Sequence, residues 1–302
     1  MRIIVTGGCG FIGSSFVNYL RKNVECDIVV IDKLTYASDP FSIPQDVPII
    51  QKDICDIELN DIGYADYIVN FAAESHVDNS ISNGLPFVKT NVEGTFNMLE
   101  VARKIPTLKK FIQISTDEVY GDMDSRGIAS AEESTSLEPS SYYSATKAAA
   151  DHLVESAGRT YGLPYMITRT CNNYGIHQHK EKFLPTIHNS IQNGKTIPLY
   201  GDGKNVREWI WVEDNVKLIY ELMVSDQNGI WNIGSSERWT NKEIIEKISE
   251  IVGKGVNFTY VEDRKGHDRR YALNISKLEY YKQTFLLTTK TLENYLKETF
   301  GK

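Results

Sequence analysis

The chain has 302 residues, 41% apolar and 24% charged, which suits one large folded unit or two joined ones and excludes a disordered or fibrous protein. A net charge of −7 argues against nucleic acid as a partner, and no apolar run approaches the ~20 residues that span a bilayer. The four cysteines, Cys9, Cys26, Cys55 and Cys171, form no C-x-x-C pair, and with no apolar leader after Met1 they predict a cytoplasmic protein with free thiols.

Short β-branched runs alternate with helical patterns through the first half of the chain. Strands are predicted at Arg2–Thr6, Asp27–Asp32, Val47–Asp53, Ala65–Ala73, Lys109–Ser115 and Pro164–Thr170. Helices are predicted at Phe11–Lys22, with Ile12, Phe16, Tyr19 and Leu20 near one face, at Phe87–Lys104 and at Tyr143–Tyr161. Continuous apolar strands separated by helices imply a parallel sheet covered on both faces. After Asn173 the pattern is less regular. "IPLYG" and "GIWNIGS" read as short strands, and the second is expected to return to the main sheet near residues 228–235. The tail "TTKTLENYLKETFGK" reads as a terminal helix burying Leu292, Tyr295, Leu296 and Phe300. The expected fold is a Rossmann-like, doubly wound α/β sheet over 1–173. Residues 174–302 would form mainly a smaller, partly interleaved α/β substrate lobe.

"TGGCGFIG" sets Gly7, Gly10 and Gly13 directly after the first strand and at the start of a helix. Glycines there let the backbone approach a pyrophosphate, and the helix N-terminus supplies N–H donors. Asp32 ends the second strand, where a carboxylate accepts from an adenosine ribose and favours NAD. Lys33 beside it leaves NADP open, because an ammonium suits a 2′-phosphate. Asp53 and "FAAES" (Phe71–Ser75) follow the third and fourth strands and fit either a cofactor edge or plain loops. Tyr143 and Lys147 form Y-x-x-x-K on one helix face. An ammonium near a phenol favours the phenolate, giving a base for a hydroxyl proton. In "ISTDEVYGD", Ser115 and Thr116 end a strand and Asp117 and Glu118 follow. The acids fit equally a helix-starting turn, favoured by the dipole, and a catalytic pair, for which a turn must aim both into one pocket. His177 and His179, without further matched ligands, read as loop residues rather than metal ligands. "DRKGHDRR" (Asp263–Arg270) reads as a solvated loop or an anion clamp.

Taken together, "VTGGCGFIGS", "DKLTYA", "DICD", "AAESHVD", "ISTDEVYGD", "YSATKAAADHLV", "CNNYG", "EKFLP", "IPLYG" and "GHDRRYA" resemble the extended short-chain dehydrogenases/reductases. Within them, the closest resemblance is to the nucleotide-diphosphate-glucose 4,6-dehydratases. The resemblance implies NAD-dependent conversion of dTDP- or UDP-glucose to its 4-keto-6-deoxy form. Tyr143 would be the base at C4, Lys147 its tuner and Thr116 a partner of the C4 oxygen. Glu118 would be the base at C5, and Asp117 the acid at the C6 hydroxyl, with a raised pKa. It adds Phe11, Ile12, Leu34, Thr35, Ile54, Ala72, Ala73, Ser75, Thr90 and Asn173 to the cofactor set. Ser75, Thr116, Asn172, Lys182, Phe183, Pro198, Leu199, Tyr200, Arg207, Asn232, Arg264 and His267 would hold the nucleotide sugar. No metal is implied. A homodimer through the Phe87–Lys104 and Tyr143–Tyr161 helices is. Ile176 stands where the family has proline, and "IHQHK", Tyr142, Lys265 and a short segment after "VYGD" also depart from its pattern. The rival readings are a sugar-nucleotide 4-epimerase, which typically lacks the adjacent Asp-Glu, and an idle dinucleotide-binding scaffold.

Overall fold

The protein is described here by a computed structural model covering residues 1–253, 255–282 and 289–301. Its strands are β1 (Arg2–Thr6), β2 (Asp27–Asp32), β3 (Ile49–Gln51), β4 (Tyr67–Asn70), β5 (Lys110–Thr116), β6 (Tyr165–Thr170), β7 (Asn172–Tyr174), β8 (Ile197–Tyr200), β9 (Val206–Trp211), β10 (Gly229–Ile233), β11 (Arg238–Thr240) and β12 (Phe258–Val261). Among the described residues, seven of them form one sheet in the order β3-β2-β1-β4-β5-β6-β10, and every neighbouring pair is parallel. This is a Rossmann-like sheet, with the order reversing between β1 and β4.

Alternation along the strands builds a core on each face. Ile3 and Val5 of β1 join Phe16, Val17 and Leu20 of the helix Phe11–Asn23. Leu218, Ile219, Leu222 and Met223 of the helix Val212–Val224 pack in the same cluster. Ile4 faces the other way, with Met98, Leu99, Val154 and Ala157. A third cluster builds the smaller lobe around Tyr174, Leu184, Ile187, Trp209, Trp211, Ile244 and Ile248. Beside it lie the three-stranded sheet β11-β9-β7 and the pair β12-β8. Among the described residues no helix is long and apolar enough to cross a membrane.

The "GIWNIGS" strand does return, as β10 beside β6. The terminal helix spans Leu292–Phe300 with Leu292, Leu296 and Phe300 buried, while Thr288 and Lys302 of the predicted tail lie outside the described residues. The expected strand at Ala65–Ala73 pairs only over Tyr67–Asn70, because Phe71–Ser75 leave the sheet to line a cleft. The Val47–Asp53 strand shrinks to Ile49–Gln51, because the Asp53 side chain caps the 3-10 turn Ile54–Asp56. The Phe87–Lys104 helix is not uniform. It runs as an α-turn at Leu85–Phe87, a π-helical stretch at Val88–Gly94 and an α-helix at Thr95–Ala102. Within the π stretch the buried Asn91 accepts from the Glu74 N–H and donates to the Glu74 carbonyl and to Thr146 Oγ1. The widened turn thus ties the loop after β4 to the helix Tyr142–Tyr161.

Candidate active site

A long cleft opens where the strand order reverses. Gly7, Gly10, Phe11, Ile12, Gly13, Asp32, Lys33, Thr35, Asp53, Ile54, Ala72, Ala73, Ser75 and Thr90 all line it. Leu34 does not; it takes a left-handed φ of 57° and donates its N–H to Asp32 Oδ1 at 2.8 Å. Asp32 also accepts from the Cys9 N–H at 2.9 Å and from Ser38 Oγ at 2.8 Å. Its carboxylate is thereby held rigid at the cleft wall. Lys33 is paired with Asp53 at 2.7 Å, so its charge is partly neutralised where a 2′-phosphate would need it.

The glycine turn tests whether a dinucleotide fits. A Cβ at Gly13 would sit 2.2 Å from the Gly7 carbonyl oxygen, so only glycine lets the helix start this close to the turn. A Cβ at Gly10 would meet protein only at 3.4 Å, and Gly10 lines the cleft. The helix Phe11–Asn23 has no side-chain cap at its N-terminus. Its first N–H groups are therefore available for an anion. These residues fit the pyrophosphate of NAD.

At the deep end of the cleft β5 stops at Thr116, whose Oγ1 caps the 3-10 turn Asp117–Tyr120 by accepting the Glu118 N–H at 3.3 Å. The turn does what a continued strand could not: Asp117 and Glu118 both line the cleft, with Thr116, Tyr143 and Lys147. Asp117 is 3% exposed, and its Oδ2 finds no hydrogen-bond partner among the described residues. Burial, and then the charges of Glu118 and Glu208, push its pKa well above the ordinary carboxylate range. Burial also raises Glu118, but Arg207 and Lys182 pull against it. Two adjacent carboxyls thus have environments that separate an acid from a base.

The Tyr143 phenol departs from the sequence expectation. Its pKa is pushed up, by burial and then by the Glu118 charge, while a hydrogen bond with Thr116 opposes the shift. Lys147 does not offset this, because its Nζ donates to the Ile114 carbonyl at 2.5 Å. Burial lowers Lys147 to about 8, opposed by Asp151.

A second cleft continues from the first and shares Glu118, Asn172 and Lys182 with it. Phe183, Pro198, Leu199, Tyr200, Arg207, Arg264 and His267 line it. Lys182 Nζ donates to the Ser75 carbonyl at 2.9 Å and bridges the rims. Arg207 lies 4.3 Å from the Tyr271 ring centroid, and Arg264 lies 4.6 Å from that of Tyr200. Asn173 lines the first cleft, held by Thr170 Oγ1 and the Cys171 carbonyl.

Asn232 is the exception among the expected substrate residues. It is fully buried and lines neither cleft; it accepts from the Tyr120 hydroxyl and donates to the Ala131 and Asn274 carbonyls. Its β10 position turns it into the sheet face rather than the opening. The "DRKGHDRR" run also divides. Arg264 and His267 reach the second cleft, but Arg269 pairs with Asp202 and Arg270 with Asp124. Pairing of Arg270 with Val206 by a β-bridge turns that part of the run outward. His179 packs edge-on to Tyr36 at 5.5 Å and lies 3.5 Å from Glu181, and His177 holds a left-handed φ of 67°. Sequence reasoning missed Tyr271, whose hydroxyl donates to Asp268 at 2.7 Å in the second cleft, although it belongs to the "GHDRRYA" motif. It also missed Ser38 and Gln178 in the first.

Comparison with known proteins agrees with this geometry. The "NAD dependent epimerase/dehydratase family" matches residues 3–234. The low-salt glycan biosynthesis protein Agl12 of Haloferax volcanii is 49% identical over 286 residues, 92% of this chain and 91% of that protein. A dTDP-glucose 4,6-dehydratase of Haemophilus influenzae is 40% identical over 308 residues, 92% of this chain and 91% of that one. The crystal structure of DesIV, a dTDP-glucose 4,6-dehydratase of Streptomyces venezuelae solved with NAD, superimposes with a TM-score of 0.91 at 37% identity, covering 99% of this chain and 96% of that one. The matched length, the glycine turn and the Tyr143–Lys147 helix agree, and the chain belongs to the NAD-dependent epimerase/dehydratase family.

Proposed function

We propose that the protein is an NAD-dependent nucleotide-glucose 4,6-dehydratase, acting on dTDP-glucose as its relatives' names indicate. The observation that carries this reading is the buried Asp117 beside Glu118 in the same cleft as Tyr143 and Lys147, where burial raises the Asp117 pKa. An epimerase has no use for a second acid–base pair. When bound, NAD would supply the hydride acceptor for C4 and the hydride donor for C6, and its positive charge would favour ionisation of the Tyr143 phenol. Tyr143 takes the C4 hydroxyl proton while Thr116 hydrogen-bonds that oxygen. The ketone formed acidifies C5–H, and Glu118 removes that proton. Asp117 gives its proton to the C6 hydroxyl, which leaves as water. Glu118 then returns its proton to C5, and the proton gained by Tyr143 balances the one lost by Asp117.

Residues 1–173 would carry the cofactor and the chemistry, and 174–302 the nucleotide. A homodimer is part of the reading. Val88 and Phe96, on the first helix named for it, are 48 and 52% exposed, and Leu85 and Tyr142, just before the two helices, are 74 and 64% exposed; the Tyr142 ring abuts Gly84. Four free thiols favour a reducing compartment, the cytoplasm. The test supplies dTDP-glucose, UDP-glucose, GDP-mannose and UDP-N-acetylglucosamine separately and detects 4-keto-6-deoxy product by its absorbance in base. Product from dTDP-glucose is expected. Glu118→Gln should still oxidise C4 and stall there, so bound NADH accumulates; full turnover without accumulation removes Glu118 from the scheme.

A further inference from the structure

Behind the cleft floor runs a buried polar chain that the chemistry above does not use. Asp151 stands one helical turn after Lys147, on the helix Tyr142–Tyr161, and is fully buried. Its Oδ2 accepts from Nε of Arg169, on β6, at 2.9 Å, and Arg169 is 2% exposed. The same guanidinium donates from Nη1 to the Tyr120 hydroxyl at 2.9 Å and lies 4.8 Å from its ring centroid. That hydroxyl donates on to Asn232 Oδ1 at 2.8 Å. Arg126 donates to the Tyr120 backbone carbonyl from the other side. Tyr120 is the last residue of the turn that opens with Asp117 and Glu118.

We propose that Arg169 and Tyr120 are positioning residues that lock the Asp117–Glu118 turn to the Tyr143–Lys147 helix, so that oxidation and elimination act on one sugar in one pose. The proposal rests on the dehydratase reading and specifies how its two steps stay aligned. Stability alone is a poor reason for this chain. Stripping two ions of water offsets most of what their pairing returns, and replacing both partners by apolar residues of similar shape is often neutral, although removing only one strands the other's buried charge. What a guanidinium adds is direction: a planar fork with donors at fixed angles meets a carboxylate on the helix and a phenol on the turn. A methionine fills the space and sets no angle. C4 oxidation needs only the helix dyad and Thr116. Elimination needs two carboxyls from the turn at C5 and C6 while the C4 oxygen is held elsewhere, and a displacement of about 1 Å there costs on the order of 100-fold in rate. Burial holds the Tyr120 hydroxyl up at about 12, so it keeps the proton it donates to Asn232.

The test is Tyr120→Phe, which deletes one hydroxyl and keeps the ring. It is read with dTDP-glucose, or whichever nucleotide-glucose the wild type turns over, by kcat, KM and the absorbance of enzyme-bound NADH during turnover. The expected result is a kcat lowered about tenfold, KM within about twofold, and a raised fraction of bound NADH, because oxidation outruns elimination. Arg169→Met should act in the same sense and more strongly, and the double variant should be no worse than Arg169→Met alone. An unchanged NADH fraction overturns the proposal, whether turnover stays normal or falls together with the melting temperature. A wild type that makes no 4-keto-6-deoxy product from any of the four sugars is a different failure and removes the dehydratase reading itself.

Discussion

Asp117 and Lys147 are both titratable groups moved toward neutrality by loss of water, in opposite directions. Burial holds the proton on Asp117 and weakens it on Lys147. The ammonium is the charged form, and burial brings its titration down to about 8. Raising the pH through that value discharges Lys147, so kcat/KM should fall on an alkaline limb near it. Lys147→Arg keeps the charge, and that limb should vanish from whatever activity the variant retains. A wild-type profile flat through that range would show that the Lys147 charge is not needed. That Tyr143, Lys147 and Asp32 line one cleft was legible in the sequence, because each belongs to a short local motif. The upward shift of Tyr143 was not, since it comes from burial and from Glu118, a residue on another element. Asn232, expected at the substrate, lines neither cleft, because a strand pattern gives alternation without saying which face a given residue takes.

Among the elements, the 3-10 turn after β5 matters most. It ends at Gly121, with a φ of 73° and no room for a side chain: a Cβ would lie 2.0 Å from the Glu138 carbonyl oxygen. Gly121→Ala therefore combines a left-handed penalty of ~1–2 kcal/mol with a backbone clash. A melting temperature lowered by several degrees is expected. NAD affinity should stay within about twofold, because the glycine turn lies on other elements, while turnover falls at least about tenfold as the carboxyls lose their aim. Calorimetry and NAD titration check these together, and an intact turnover would mean that the turn tolerates a shift. The need for a turn at Asp117 was readable from strand geometry. The π-helical stretch was not, because it depends on Asn91 reaching Glu74 and Thr146. The strands β7, β9, β11 and β12 escaped too. They span three to six residues and are defined by partners elsewhere in the fold rather than by their own pattern.

At the scale of the whole molecule, the exposed Leu85, Val88, Phe96 and Tyr142 predict an assembly. The wild type should sediment as a dimer at micromolar concentration. Leu85→Glu with Phe96→Glu should give a monomer of unchanged far-ultraviolet circular dichroism, because charges placed in an apolar interface lose hydration without gaining partners. A wild-type monomer under the same conditions would contradict the dimer. The parallel α/β architecture was readable because it rests on alternation repeated over half the chain. The return of "GIWNIGS" was readable from one apolar run. The division of the smaller lobe into two sheets was not.

The position of β10 also bears on how the chain must be made. Until residues 229–233 have left the ribosome, β6 is an unpaired edge of an otherwise finished sheet, open to pairing with another nascent chain. The strands β7, β8 and β9 and the helix Val212–Val224 are synthesised during that interval. A product truncated after residue 173 would keep this edge bare and lack the helix Val212–Val224 that covers Phe16 and Leu20. The proposed functional division of the chain is therefore not a place where it can be cut, and the two lobes should unfold in a single cooperative transition.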